Sequence, residues 1–62
     1  MYETQRNIAT LIHNKGIKLT YLSQKTGIKY ELLRRALNGS RKMSGDELVK
    51  VCKVANIEIA DL

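Results

Sequence analysis

LTYLSQKTGIKYELLRRAL, residues 19–37, decides the fold. Leu19 and Leu22 share one helical face, and a short helix from about Leu19 to Lys25 stops at Gly27. A second helical pattern runs from Tyr30 to Leu37, with Ile28, Leu33 and either Leu37 or Ala36 turned inward. The connection is three or four residues long and contains Gly27, the spacing of a helix-turn-helix. The physical demands of such a pair are met residue by residue. Ser23 is small enough for the two helices to cross closely. Gly27 takes a positive φ at no steric cost. Leu22, Ile28 and Leu33 lock the helices at a fixed angle and leave the outer face of the second one open.

The flanking sequence completes an all-α chain. Ile8, Leu11 and Ile12 predict a helix from about Glu3 to Asn14, stopped at Gly16. The first helix of the central pair has no good N-cap, because Lys18 and Leu19 stand where Ser or Thr would help. Asn38-Gly39 terminates the other. Ser44 with Glu47 reads as a capping box, and Met43 and Leu48 as its hydrophobic staple. Leu48, Val51, Cys52 and Ala55 then predict a helix from Gly45 to Ala55 that ends at Asn56. The tail has room for one more turn. No segment alternates as a strand does, so the expectation is a compact four- to five-helix domain spanning residues 1–62.

With 62 residues, 44% of them hydrophobic but none of them Phe or Trp, the core must be aliphatic and the stability margin thin. A catalytic cavity is not expected in so short a chain, and the residues offer no paired carboxylates, Ser-His-Asp set or phosphate loop. Cys52 is the single cysteine, which excludes a disulfide framework and a thiolate metal site. His13 reads as an exposed helix residue. No signal-like start or long apolar run appears, so the expected protein is soluble and intracellular, in the cytoplasm, and neither a membrane nor a small-molecule ligand is implied.

The formal charge is +5, and its distribution is uneven. Lys15, Lys18, Lys25, Lys29, Arg34, Arg35, Arg41 and Lys42 face only Glu31 between residues 15 and 42, while residues 43–62 are net acidic. One positive face centred on the helical pair points to a polyanion, and nucleic acid fits that better than an anionic membrane surface.

Leu22-Ser23-Gln24-Lys25-Thr26-Gly27-Ile28 resembles the helix-turn-helix signature of the Cro and CI repressor family, the lambda-repressor-like DNA-binding domains. Almost the whole chain shares the resemblance. Ile8 and Leu11 match the first helix, Leu37-Asn38-Gly39 and the basic residues after it match the segment following the recognition helix, and the run from Leu48 to Ile57 looks like the fourth helix. The resemblance implies that helix three, about residues 29–38, enters the major groove of an operator duplex. It implies base contacts from Lys29, Tyr30, Glu31 and Arg35. Asn38, Ser40, Arg41 and Lys42 match the loop that grips the phosphate backbone, and Tyr21, Gln24 and Arg34 are further phosphate candidates. The chemistry is compatible: Arg35 suits guanine O6 and N7, and Glu31 suits cytosine N4. Glu31 has a second and favoured reading, an ion pair with Arg34 or Arg35 one turn on. Ile57, Ile59 and Leu62 either close the core or form a dimer patch, the family's habit in that region.

Departures from the family pattern bear on these roles. Leu19 replaces a Gln that often contacts phosphate. Lys29 stands where Ser or Thr is usual, so it is free to reach DNA rather than cap. Ile12 and Leu37 replace a buried Arg–Glu pair with apolar contact, which avoids desolvating two charges. The expected function is therefore a small sequence-specific repressor without cofactor or metal, acting as a dimer by promoter occlusion, plausibly of phage or prophage origin. Two other classes remain: an antitoxin that binds a toxin and represses its own operon, and a nonspecific architectural protein.

Overall fold

The computed structural model describes residues 2–62, Asp61 by its backbone alone. Four helices form: α1 (Glu3–Lys15), α2 (Leu19–Thr26), α3 (Tyr30–Leu37) and α4 (Gly45–Ala55), followed by a 3-10 turn over Ile59–Asp61. No strand is present among the described residues. α2 packs on α4 and α3, and α1 on α3 and α4.

The core is the expected aliphatic one. Ile8, Leu22, Leu33 and Val51 are its largest fully enclosed side chains, joined by Ile12, Ile28, Ala36, Met43, Cys52, Ala55 and Ile57. Both alternatives for the inner face of α3 are used, since Ala36 is buried and Leu37 half-buried. Burial raises the Cys52 thiol above its usual pKa, consistent with a packing role. α4 starts where the capping box predicts: the Ser44 hydroxyl accepts from the Glu47 amide, and the Glu47 carboxylate accepts from the Ser44 amide.

α1 and α2 each run one residue past the expected end, to Lys15 and Thr26. The Thr26 hydroxyl donates to the Leu22 carbonyl at 2.6 Å within the last turn of α2. At the end of α3, Asn38 keeps a negative φ, and Gly39 carries the left-handed conformation with φ 87°.

Two polar residues are buried, Gln5 and Thr26, and the sequence reading left Gln5 without a role. Gln5 is 3% exposed. Its carboxamide nitrogen donates to the carbonyls of Ala36 and Arg41, both at 2.8 Å, and its oxygen accepts from the Met43 amide. α1 is thereby tied to the end of α3 and to the loop before α4.

Candidate nucleic-acid interface

The turn between α2 and α3 sets the aim of the exposed helix. Gly27 has φ 77° and open space around its α-carbon. Two side chains brace it: Ser23 donates to the Ile28 carbonyl at 2.6 Å, and the Ile28 amide donates to the Thr26 hydroxyl at 3.2 Å. Ser23 is thus more than a small residue at a crossing. Leu22, Ile28 and Leu33 are buried beneath the turn. The angle between α2 and α3 is held by both apolar contact and hydrogen bonds.

α3 has two faces. Leu33 and Ala36 are fully buried, whereas Tyr30, Glu31, Leu32, Arg34 and Arg35 are exposed. Lys29 occupies the N-cap position, makes no side-chain cap bond and is exposed. Leu32, the one apolar member of the outer face, is 38% exposed. Glu31 pairs with Arg34, with Nη2 to Oε1 at 2.8 Å and Nε to Oε1 at 2.9 Å. Hydrogen bonding from Arg34 holds the Glu31 carboxyl below the usual carboxylate range, and the charges of Arg34 and Arg35 act in the same direction. Arg35 has no ion-pair partner among the described residues.

The loop after α3 folds back on the helix. The amides of Ser40 and Arg41 donate to the Arg35 carbonyl at 2.9 and 3.2 Å, and the Ser40 amide is shared with the Asn38 side-chain oxygen at 3.0 Å. Ser40 and Lys42 are exposed. Arg41 is half-buried and forks onto Glu47, with both N–O distances at 3.2 Å. That bond, with the Ser44 amide, depresses the Glu47 carboxyl. Of the cations on and around α3, Lys29, Arg35 and Lys42 have no carboxylate partner among the described residues, while Arg34 and Arg41 have one each.

On α2, Tyr21 is 47% exposed and Gln24 is exposed. The Lys25 ammonium lies 5.9 Å from the Tyr21 ring centroid, within cation–π range.

A family model described as the Cro/C1-type helix-turn-helix DNA-binding domain matches residues 7–62. The chain belongs to this family. No curated protein and no solved structure matches it. As a Cro/C1-type domain it is a DNA-binding transcription regulator, built on a helix-turn-helix of α2 and α3. No helix is long and apolar enough to cross a membrane, and no His, Cys, Asp or Glu cluster suited to a metal occurs among the described residues.

The three residues expected at a dimer patch do not sit alike in this Cro/C1-type domain. Ile57 is 8% exposed and packed in the core of its own chain. Ile59 is 55% exposed and Leu62 half-buried. Val49, 41% exposed, joins Ile59 at a shallow concavity of about 380 Å³ between α4 and the tail. Thr26 falls within the helix-turn-helix signature but had no role of its own there, and Gln5 carried no motif. The one available clue was a polar residue, Gln5, falling on the Ile8–Ile12 stripe of α1.

Proposed function

We propose that this domain reads a specific duplex sequence by inserting α3 into the major groove, and that it represses transcription by covering promoter DNA. One observation carries the reading: α3 buries Leu33 and Ala36 on one face and exposes Tyr30, Glu31, Arg34 and Arg35, with Leu32 among them, on the other, and its angle is fixed by the braced turn at Gly27. An eight-residue helix so held suits a groove about 12 Å wide.

Lys29, Tyr30, Glu31 and Arg35 form the base-reading set in this reading. Arg35, without a carboxylate partner, is the strongest of them and suits guanine. Lys42 and Ser40 grip the backbone on one side, braced by Asn38, with Tyr21 and Gln24 on the other; Arg34 reaches phosphate only at the expense of Glu31. Because one small module reads few base pairs, two copies bind together through Val49, Ile59 and Leu62, with half-sites about 34 Å apart.

Selection of binding sites from random duplexes tests specificity and symmetry together. Recovery of a two-fold sequence with one-turn spacing supports the reading. Enrichment of no sequence would leave a nonspecific architectural protein, and a single unpaired half-site would remove the dimer.

A further inference from the structure

A basic residue in the loop after a recognition helix is ordinarily counted as a phosphate contact, and Arg41 stands in that place. Its donors are nevertheless all engaged. A guanidinium has five N–H groups, and five donor–acceptor contacts are formed. Nε and Nη2 donate to the Leu32 carbonyl at 3.3 and 3.2 Å. Nη1 donates to the Lys42 carbonyl at 3.4 Å and to Glu47 Oε1 at 3.2 Å, and Nη2 donates to Glu47 Oε2 at 3.2 Å. The side chain thus joins the outer edge of α3, the loop itself and the first turn of α4. Glu47 is fixed in turn by the capping box with Ser44. From the inner side, Gln5 holds the carbonyl of Arg41 and the amide of Met43.

We propose that Arg41 is a positioning residue. Resting on the DNA-binding reading above, the inference is that Arg41 acts through Glu47 and the Leu32 carbonyl to prebuild the segment from Asn38 to Met43. Lys42 and Ser40 then meet the phosphate backbone in register with α3 and pay no ordering cost on binding. Arg41 itself offers DNA no donor. Three consequences distinguish this arrangement from a phosphate contact. Glu47→Gln removes a negative charge and on electrostatics alone would tighten DNA binding; as half of a strut its loss weakens binding instead. Arg41→Lys keeps the charge but cannot fork onto a carboxylate and a carbonyl together, so it fails as Arg41→Gln fails. The salt dependence stays near that of the wild type, because no phosphate contact is lost.

The test measures affinity for the selected duplex over a range of KCl, with amide exchange of residues 39–43, for Arg41→Gln, Arg41→Lys, Glu47→Gln and the double variant Arg41→Gln/Glu47→Gln. The expected result is a roughly three- to tenfold loss of affinity in each single variant, the ordering cost of one or two side chains. The double variant is no worse than the weaker single, the salt slopes match, and the loop amides exchange faster. A slope shallower by about one in Arg41→Gln, with wild-type affinity in Arg41→Lys, would overturn the proposal and return Arg41 to the phosphates. Unchanged loop exchange would overturn it also. If the wild type binds no duplex specifically, the DNA-reading assignment fails by itself, and the exchange measurement still decides whether the strut exists.

Discussion

Two Arg–Glu pairs lie on and beside the exposed helix, and the same chemistry serves different ends in each. Glu31–Arg34 lies along α3 itself, three residues apart, with both side chains about half exposed at 57% and 47%. Arg41–Glu47 joins a loop to another helix, with side-chain exposures of 27% and 21%. Water and salt compete fully with the first pair, and its partners need not move the backbone to separate. The second pair shares its atoms with a capping box and a helix carbonyl, so breaking it releases three elements together. Sequence spacing makes the first pair easy to foresee and energetically minor. The second spans six residues and two elements, and its consequences for the fold are larger.

The largest expected effect comes from removing the inner clamp on the same loop. Gln5→Leu keeps most of the volume but leaves the Arg41 carbonyl and the Met43 amide without their partner, and takes one of two donors from the Ala36 carbonyl. Each buried backbone group left unsatisfied costs about 1–3 kcal/mol, so urea unfolding should show a loss of about 3 kcal/mol. A loss below about 1 kcal/mol would mean that water reaches these groups readily, and the loop would then hang on Arg41–Glu47 alone. Next in size is Arg35→Ala, which tests the unpaired arginine between the two pairs. It should weaken the selected site by about 1–3 kcal/mol and relax specificity at one base pair. An equal loss on random DNA would make Arg35 a backbone contact only.

How much of this was legible in the sequence depends on range. Signals confined to a few residues came through. The positive φ of Gly27, the capping box at Ser44 and Glu47, and the apolar stripes of α1, α3 and α4 each follow from local stereochemistry, and all are present. The family resemblance is likewise local in origin and is met by the match over residues 7–62. Contacts across the fold did not come through. Gln5 bonds partners 31 to 38 residues away, which no periodicity encodes. Ile57 could have closed the core or docked a second copy, and only the packing of the tail decided for the core. Arg41 looked like one more cation in a basic run until its acceptors were known. Which of Lys29, Tyr30, Glu31 and Arg35 touches a base depends on a partner that neither sequence nor fold contains.

Acid separates the two pairs further. Glu47 is held below its ordinary pKa chiefly by Arg41 and by the Ser44 amide. A carboxylate depressed on folding adds stability that is complete above its unfolded pKa and disappears as the pH falls through the depressed folded value, because the unfolded chain then binds the proton more readily. Unfolding measured down through the carboxylate range should therefore show the wild type losing stability on acidification, and Glu47→Gln losing less. At neutral pH the coupling between Arg41 and Glu47 in a double-mutant cycle should be about 1 kcal/mol, at the top of the range for exposed pairs. Parallel pH profiles in the two proteins would show that the strut is not formed by the charged carboxylate.

The smallest effect on stability is expected at Glu31. Its carboxyl is also held below the usual range, first by the hydrogen bond from Arg34. Both groups are solvated, however, so the attraction is screened and the unfolded chain loses little by forgoing it. Glu31→Gln and Arg34→Gln should leave the unfolding midpoint where it is, at low salt as at high. What should change is base preference: with Glu31 neutral, Arg34 is released toward phosphate and the discrimination contributed at the Glu31 position falls, which repeated site selection with the variant would reveal. A midpoint shift as large as that of Arg41→Gln would erase the distinction between the pairs, since it would mean that α3 depends for its own cohesion on an ion pair lying on the face it presents to DNA.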